Sequence, residues 1–136
     1  MIVLDACVLA AFVDPANLFH RHARSIMGMT EPFAISALTG AEVMVPSCHQ
    51  PLPAPAFWPA LFADFDIHII DLTGADMARL AALRAASRLK MPDAIVLHTA
   101  MIASASIATF DAALRRAAFA HGVPVIDQSV DTRTRD

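Results

Sequence analysis

Residues 1–13, MIVLDACVLAAFV, decide the fold. Ile2, Val3 and Leu4 make an unbroken apolar run, without the polar alternation of a strand that faces water on one side. Such runs belong to strands buried on both faces of a parallel sheet. The run stops at an acid, Asp5, and ACVLAAFV reads at once as a helix. A buried strand passing directly into a helix is the unit from which α/β proteins are built.

The same grammar continues outward from this stretch. Asp14-Pro15 ends the first helix, and a second fits Ala16 to Met29. PFAIS (32–36) reads as a strand, after which Ser36 caps a helix through ALTGAEVMV (37–45). In PSCHQPLPAPAFWP (46–59) five prolines predict a loop, feeding a short helix from Pro59 to Phe65. DIHIIDL (66–72) is a third strand, with an amphipathic helix from Thr73 to Arg88 behind it. A helix from Pro92, a strand SIAT (106–109), a helix from Asp111 to His121 and a last strand PVID (124–127) complete the alternation. The expectation is a three-layer α/β/α sandwich around a mostly parallel central sheet, one domain over residues 1–127, with a polar C-terminal tail at 128–136.

Composition narrows the class. A chain of 136 residues suits one domain with a core of its own. Because 57% of the residues are hydrophobic and the mean hydropathy is +0.53, a membrane span has to be tested first. The longest apolar run, Ala94 to Phe110, is broken by His98, Thr99, Ser104 and Ser106 and closed by Asp93 and Asp111, so it is too short and too polar. No basic region precedes the apolar start and Asp5 interrupts it, which argues against a secretory leader. Cys7 and Cys48 form no framework or metal spacing, so a reduced cytoplasmic setting is expected. With four glycines there is no G-x-G-x-x-G and no Walker loop.

Four acids carry the chemistry. Asp5 ends the first strand, Asp111 follows SIAT, Asp93 opens a helix, and Glu42 is the only charge in ALTGAEVMV. Alone, an acid such as Asp93 in a first helical turn is ordinarily a cap for the positive end of the helix dipole. Together, all four are placed to reach the rim beyond the carboxyl ends of the strands, where α/β sheets gather reactive groups. Converging carboxylates must take up protons or share a hard cation. Without His or Cys at zinc spacing, that cation is Mg²⁺ or Mn²⁺, and the chemistry that suits it is phosphodiester hydrolysis.

The net charge of −3 then looks different. Thirteen acids less these four leaves nine, against ten Lys and Arg, so the remaining surface is near neutral. Arg21, Arg24, Arg84, Arg88, Lys90, Arg115 and Arg116 are candidates for phosphate contact, with Lys90, Arg115 and Arg116 assigned to substrate. Any one of them, taken singly, reads equally as a solvated helix face. His20 and His22 read as a solvated helix face, His98 as a buried, hydrogen-bonded imidazole, and both cysteines as packing residues.

IVLDACVL, ALTGAEV, KMPDAIVLHTA and ATFDAALRRAAFAHGVPVI resemble, in order and spacing, the four acid-bearing blocks of PIN-domain ribonucleases, and most of all the VapC-like toxins of type II toxin–antitoxin pairs. The likeness covers residues 1 to 127. It implies a PIN-like α/β/α fold and Mg²⁺- or Mn²⁺-dependent cleavage of single-stranded RNA. It further implies that Asp5, Glu42, Asp93 and Asp111 surround the metal with Thr109 in support. A homodimer and a cognate VapB-like antitoxin, whose tail crosses the groove, are also implied by the likeness.

Two departures stand out. Where the family carries Ser or Asn two residues after the first acid, this chain has Cys7. The family continues the Glu-bearing helix into another, whereas here the prolines of 46–59 intervene; Phe57 and Trp58 in that segment read either as base-stacking or antitoxin-gripping residues or as core cover. These departures motivate a second reading, a catalytically silent PIN-like module that binds RNA or protein. A phosphate-accepting signalling domain or phosphatase ranks last, because Asp5 is followed by Ala6 and Cys7 rather than by a second acid.

Overall fold

The computed structural model describes residues 1–50 and 54–126. Four strands form one parallel sheet: β1 (Ile2–Leu4), β2 (Phe33–Ser36), β3 (His68–Ile70) and β4 (Ser106–Ala108), in the order β3-β2-β1-β4. Ile2 aligns with Phe33 on one side and with Ser106 on the other, and Ser36 aligns with Ile70. Val125 adds an isolated parallel bridge to Ile107 beyond β4, through Ile107 N–H to Pro124 O and Ile126 N–H to Ile107 O, both 2.8 Å. The PVID strand is therefore a single bridge as far as Ile126. Asp127 and the tail 128–136 lie outside the described residues.

Seven α-helices connect the strands within the described residues: α1 (Ala6–Val13), α2 (His20–Met27), α3 (Ala37–His49), α4 (Phe57–Asp64), α5 (Met77–Ser87), α6 (Met91–Ala103) and α7 (Ala112–Ala120). The strand period of two sorts the core into two layers. Ile2, Leu4, Phe33, Ile35 and Ala108 join the cluster built with α1 to α4. Val3, Ala34 and Ile107 join the opposite cluster with α5, α6 and α7. Both faces are covered at the central strands, so β1 and β2 are buried throughout, whereas the edge strand β3 is largely exposed. The chain is the three-layer α/β/α sandwich that the alternation predicts.

The order of the strands places the site. From β1 the chain moves one way to β2 and β3, and later returns to the other side as β4. The crevice beyond the carboxyl ends of β1 and β4 is the switch point, where open α/β sheets bind ligands.

Three local expectations are corrected. The helix after β2 does not end at Pro46 but runs to His49. A proline inside a helix removes its own N–H bond and crowds the carbonyl four residues back, but the turn beyond it is secured from outside: Trp58 Nε1–H donates to the buried Ser47 Oγ at 3.0 Å. α2 starts at His20 rather than Ala16, because Asp14 Oδ1 and Asn17 Oδ1 accept the N–H groups of Ala16 and Phe19, both at 2.9 Å. Those side-chain turns outcompete helix formation locally. The strand in DIHIIDL shortens to His68–Ile70. No helix among the described residues is long and apolar enough to cross a membrane.

Candidate active site

Asp5 sits at the end of β1 with its side chain buried, and its own N–H donates to Ala108 O of β4 at 3.0 Å. Burying a carboxylate is costly unless donors satisfy it. Thr109 Oγ1–H donates to Asp5 Oδ2 at 2.6 Å and Cys7 Sγ–H to the same oxygen at 3.2 Å. The Thr109 oxygen in turn accepts the N–H of Asp111 at 3.0 Å, and Cys7 Sγ accepts the N–H of Phe110 at 3.4 Å. One knot thus fixes the ends of β1 and β4 and aims the chain that carries Asp111. Asp111 is the N-cap of α7, its Oδ1 accepting Leu114 N–H at 2.8 Å.

Asp93 lies in the first turn of α6, behind Pro92. The N-cap position itself is Lys90, which makes no side-chain cap hydrogen bond. The Asp93 carboxyl is pushed up from 3.8 to about 6, first by burial and then by the negative charges of Asp5, Asp111 and Glu42, with Lys90 opposing. Glu42, on α3, is also raised, by burial and then by Asp5. Asp93 therefore feels the negative charge of the other three acids, and Glu42 that of Asp5. Asp93 and Asp111 line one groove; Glu42 lines a separate, smaller hollow beside it with Thr39, Met91 and Pro92. Glu42 is exposed, as are its helix neighbours Leu38 and Val45, so the run around it is less buried than its composition suggests.

Among the described residues, no group of three or more His, Cys, Asp or Glu is gathered closely enough to hold a metal ion. The donor chemistry nonetheless suits a hard cation: all four groups are carboxylates, their repulsion is opposed at Asp93 only by Lys90, and Mg²⁺ needs just one or two protein carboxylates with waters and substrate phosphate completing its shell.

Cys7 replaces the family's Ser or Asn with a neutral thiol. Burial, then the charge of Asp5, pushes it up to about 12, so the S–H stays on as a weak donor to Asp5. Arg115 Nη1–H reaches Thr109 O at 3.5 Å, which ties it to the knot. Lys90 and Arg116 line the groove that holds Asp93 and Asp111. Trp58 is core, 3% exposed, and Phe57 packs edge-on against it. His98 is buried, its Nε2 2.9 Å from Asp76 Oδ1. His20 and His22 are half-buried rather than solvated: His20 Nδ1 pairs with Ala11 O at 2.8 Å, and His22 Nδ1 is buried without a hydrogen-bond partner among the described residues.

Three solved structures are similar in fold: a toxin–antitoxin complex from Klebsiella pneumoniae (24% identity, TM-score 0.69, 94% of this chain and 98% of that one); FitAcB from Neisseria gonorrhoeae (20%, 0.70, 94% and 98%); and VapC20 from Mycobacterium tuberculosis, described as a sarcin-ricin loop cleaving toxin (14%, 0.75, 86% and 95%). No curated protein matches. The family model for the PIN domain matches residues 2–120, a span that takes in Asp5, Glu42, Asp93, Thr109 and Asp111. On that match the chain belongs to the PIN domain family.

Proposed function

We propose that the chain is a divalent-metal-dependent endoribonuclease that hydrolyses phosphodiester bonds in single-stranded RNA, and that it is the toxin of a toxin–antitoxin pair. The reading is supported by the match to the PIN domain family together with the raised carboxyl of Asp93, on which the charges of Asp5, Asp111 and Glu42 act. A bound Mg²⁺ or Mn²⁺ supplies neutralisation of that charge, orientation of the phosphate and a nucleophilic water at neutral pH. Asp5, Asp93, Asp111 and Glu42 are the residues to hold it. Thr109 and Cys7 fix Asp5 by occupying Oδ2, so the carboxylate need not reorganise as charge develops. Lys90 and Arg116 draw the phosphate backbone towards the acids, which would otherwise repel it.

The partner follows from the same reading. A toxin of this kind is held by a cognate, VapB-like antitoxin; the fold neighbours that are themselves toxin–antitoxin complexes support that. A homodimer and a cytoplasmic location belong to the proposal and are checked by light scattering and by fractionation of the native host.

Purified chain incubated with single-stranded RNA is expected to cut it with Mn²⁺ or Mg²⁺ and to stop on adding EDTA. Asp5→Asn and Asp93→Asn stay folded and lose cleavage. Cleavage at the wild-type rate by either variant, or cleavage indifferent to EDTA, overturns the proposal. The silent-module reading draws on the neutral thiol at Cys7, and its signature is RNA that is bound and left intact.

A further inference from the structure

A groove of about 680 Å³ runs from the acidic centre along the seam between α7 and the α5–α6 connection. Its head is acidic, Asp93 and Asp111. Its walls are cationic: Arg88 and Lys90 from the connection, Arg116 from α7. Its floor on α7 is made by Ala113, Ala117 and Ala120, a spacing that puts them on one helical face. Small side chains there leave room between the cationic walls for an extended chain.

Arg88 adds a second observation. It caps α5 in the left-handed conformation, φ 58°, its N–H donating to Arg84 O. That position is ordinarily glycine, which alone adopts it without steric cost. The other non-glycine residues with positive φ, Asp66 and Ser104, carry short polar side chains; here the chain holds a long guanidinium in strained backbone beside its acidic centre. Strain kept next to a site points to use of the side chain. Three cations lining one groove whose head is Asp93 and Asp111 match a polyanion whose reacting phosphate sits at the head.

We infer that single-stranded RNA leaves the acidic centre along this groove, with its phosphates flanking the cleaved bond paired to Arg88, Lys90 and Arg116. The choice of RNA rests on the nuclease reading, whereas the pairing of phosphates with these cations is a matter of binding and is tested by binding. Arg115, tied to Thr109, is not part of this path.

The test measures binding of a short labelled poly-uridylate by fluorescence anisotropy in EDTA across a salt series, with the probe checked on a gel for integrity. Each phosphate contact on a single strand contributes about 0.7 to the slope of log affinity against log salt. Removing all three cations (R88A/K90A/R116A) therefore lowers that slope by about 2 and weakens binding on the order of a hundredfold at about 0.1 M salt. Arg79→Ala, on α5 and outside the lining of this groove, leaves both unchanged. Arg88→Gly separates binding from folding: it frees the left-handed backbone while deleting the guanidinium, so the melting temperature holds or rises as the slope falls.

Wild-type affinity and slope in the groove variants overturn the inference, as does a wild-type chain that does not bind the probe. Poly-glutamate displacing the RNA at equal charge concentration also overturns it, since the groove would then suit an acidic protein segment equally well. If the wild type binds with the expected pattern but never cuts with Mn²⁺, the nuclease reading fails and the groove stands. If it cuts, and the groove variants bind as wild type, only the groove fails.

Discussion

Thr109 donates its hydroxyl hydrogen to Asp5 Oδ2 across 2.6 Å, joining residues 104 positions apart. The oxygen of that hydroxyl accepts the N–H of Asp111, so a single group both satisfies a buried carboxylate and sets the start of α7.

Replacing Thr109 by Val keeps the shape and deletes both hydrogen bonds. A buried acceptor left with the weaker Cys7 thiol costs about 1–3 kcal/mol. Urea unfolding of Thr109→Val should show a loss in that range together with impaired cleavage, and Thr109→Ser should restore most of both. Unchanged stability in the Val variant would mean that the hydroxyl does not support Asp5.

Asp93 makes the metal-free protein pH-sensitive in a definite direction. Its carboxyl ionises near about 6 in the folded chain instead of 3.8. Between these values the folded state holds a proton that the unfolded state has released, so stability through this group falls as pH rises and the full penalty is present above about 6. In EDTA, Asp93→Asn should melt higher than wild type at about pH 8, and the gap should close towards about pH 4. Excess Mn²⁺ should reverse the order, because an ion bound only by the folded state raises the wild-type melting temperature. A gap that is independent of pH sinks this account.

Cys7 should be chemically quiet. Its thiol is held at about 12 and the thiolate is the reactive species, whereas Cys48 is exposed. A disulfide reagent at about pH 8 should modify Cys48 alone in the native protein and both cysteines after denaturation. Rapid native modification of Cys7 would show that the knot opens readily.

The turn of α3 beyond Pro46 depends on Ser47. Ser47→Ala leaves the indole N–H of Trp58 buried and unpaired, a loss of about 1–3 kcal/mol by thermal or urea unfolding. A neutral result would show that packing alone retains this turn.

Much of the framework was legible in the chain because β1, β2 and most of β4 are buried and stand out as apolar runs. Ile2–Leu4, Phe33–Ile35 and Ile107–Ala108 advertise themselves by the absence of polar residues, and Ser36 acts as the cap its position suggests, accepting Thr39 N–H at 3.1 Å. The continuation past Pro46 was hidden, because what holds it is the Trp58–Ser47 contact between separate elements. The late start of α2 was hidden for the opposite reason, a local competition by Asp14 and Asn17 that periodicity does not register. At the site, Asp5 and Asp111 could be placed from the strand ends they follow and Asp93 from the first turn of α6, whereas Glu42 lies inside α3. The double use of the Thr109 hydroxyl, the tie of Arg115 to Thr109 and the strained backbone of Arg88 emerge only from the folded geometry.

The pairing of β4 with β1 has a consequence for biosynthesis. Asp5 is synthesised long before Thr109 and Asp111, so in any nascent polypeptide that stops short of β4 the Asp5 carboxylate lacks its Thr109 donor and the acid at the start of α7. Under the proposed nuclease reading, a growing chain on a ribosome would carry no finished site until β4 and α7 have docked.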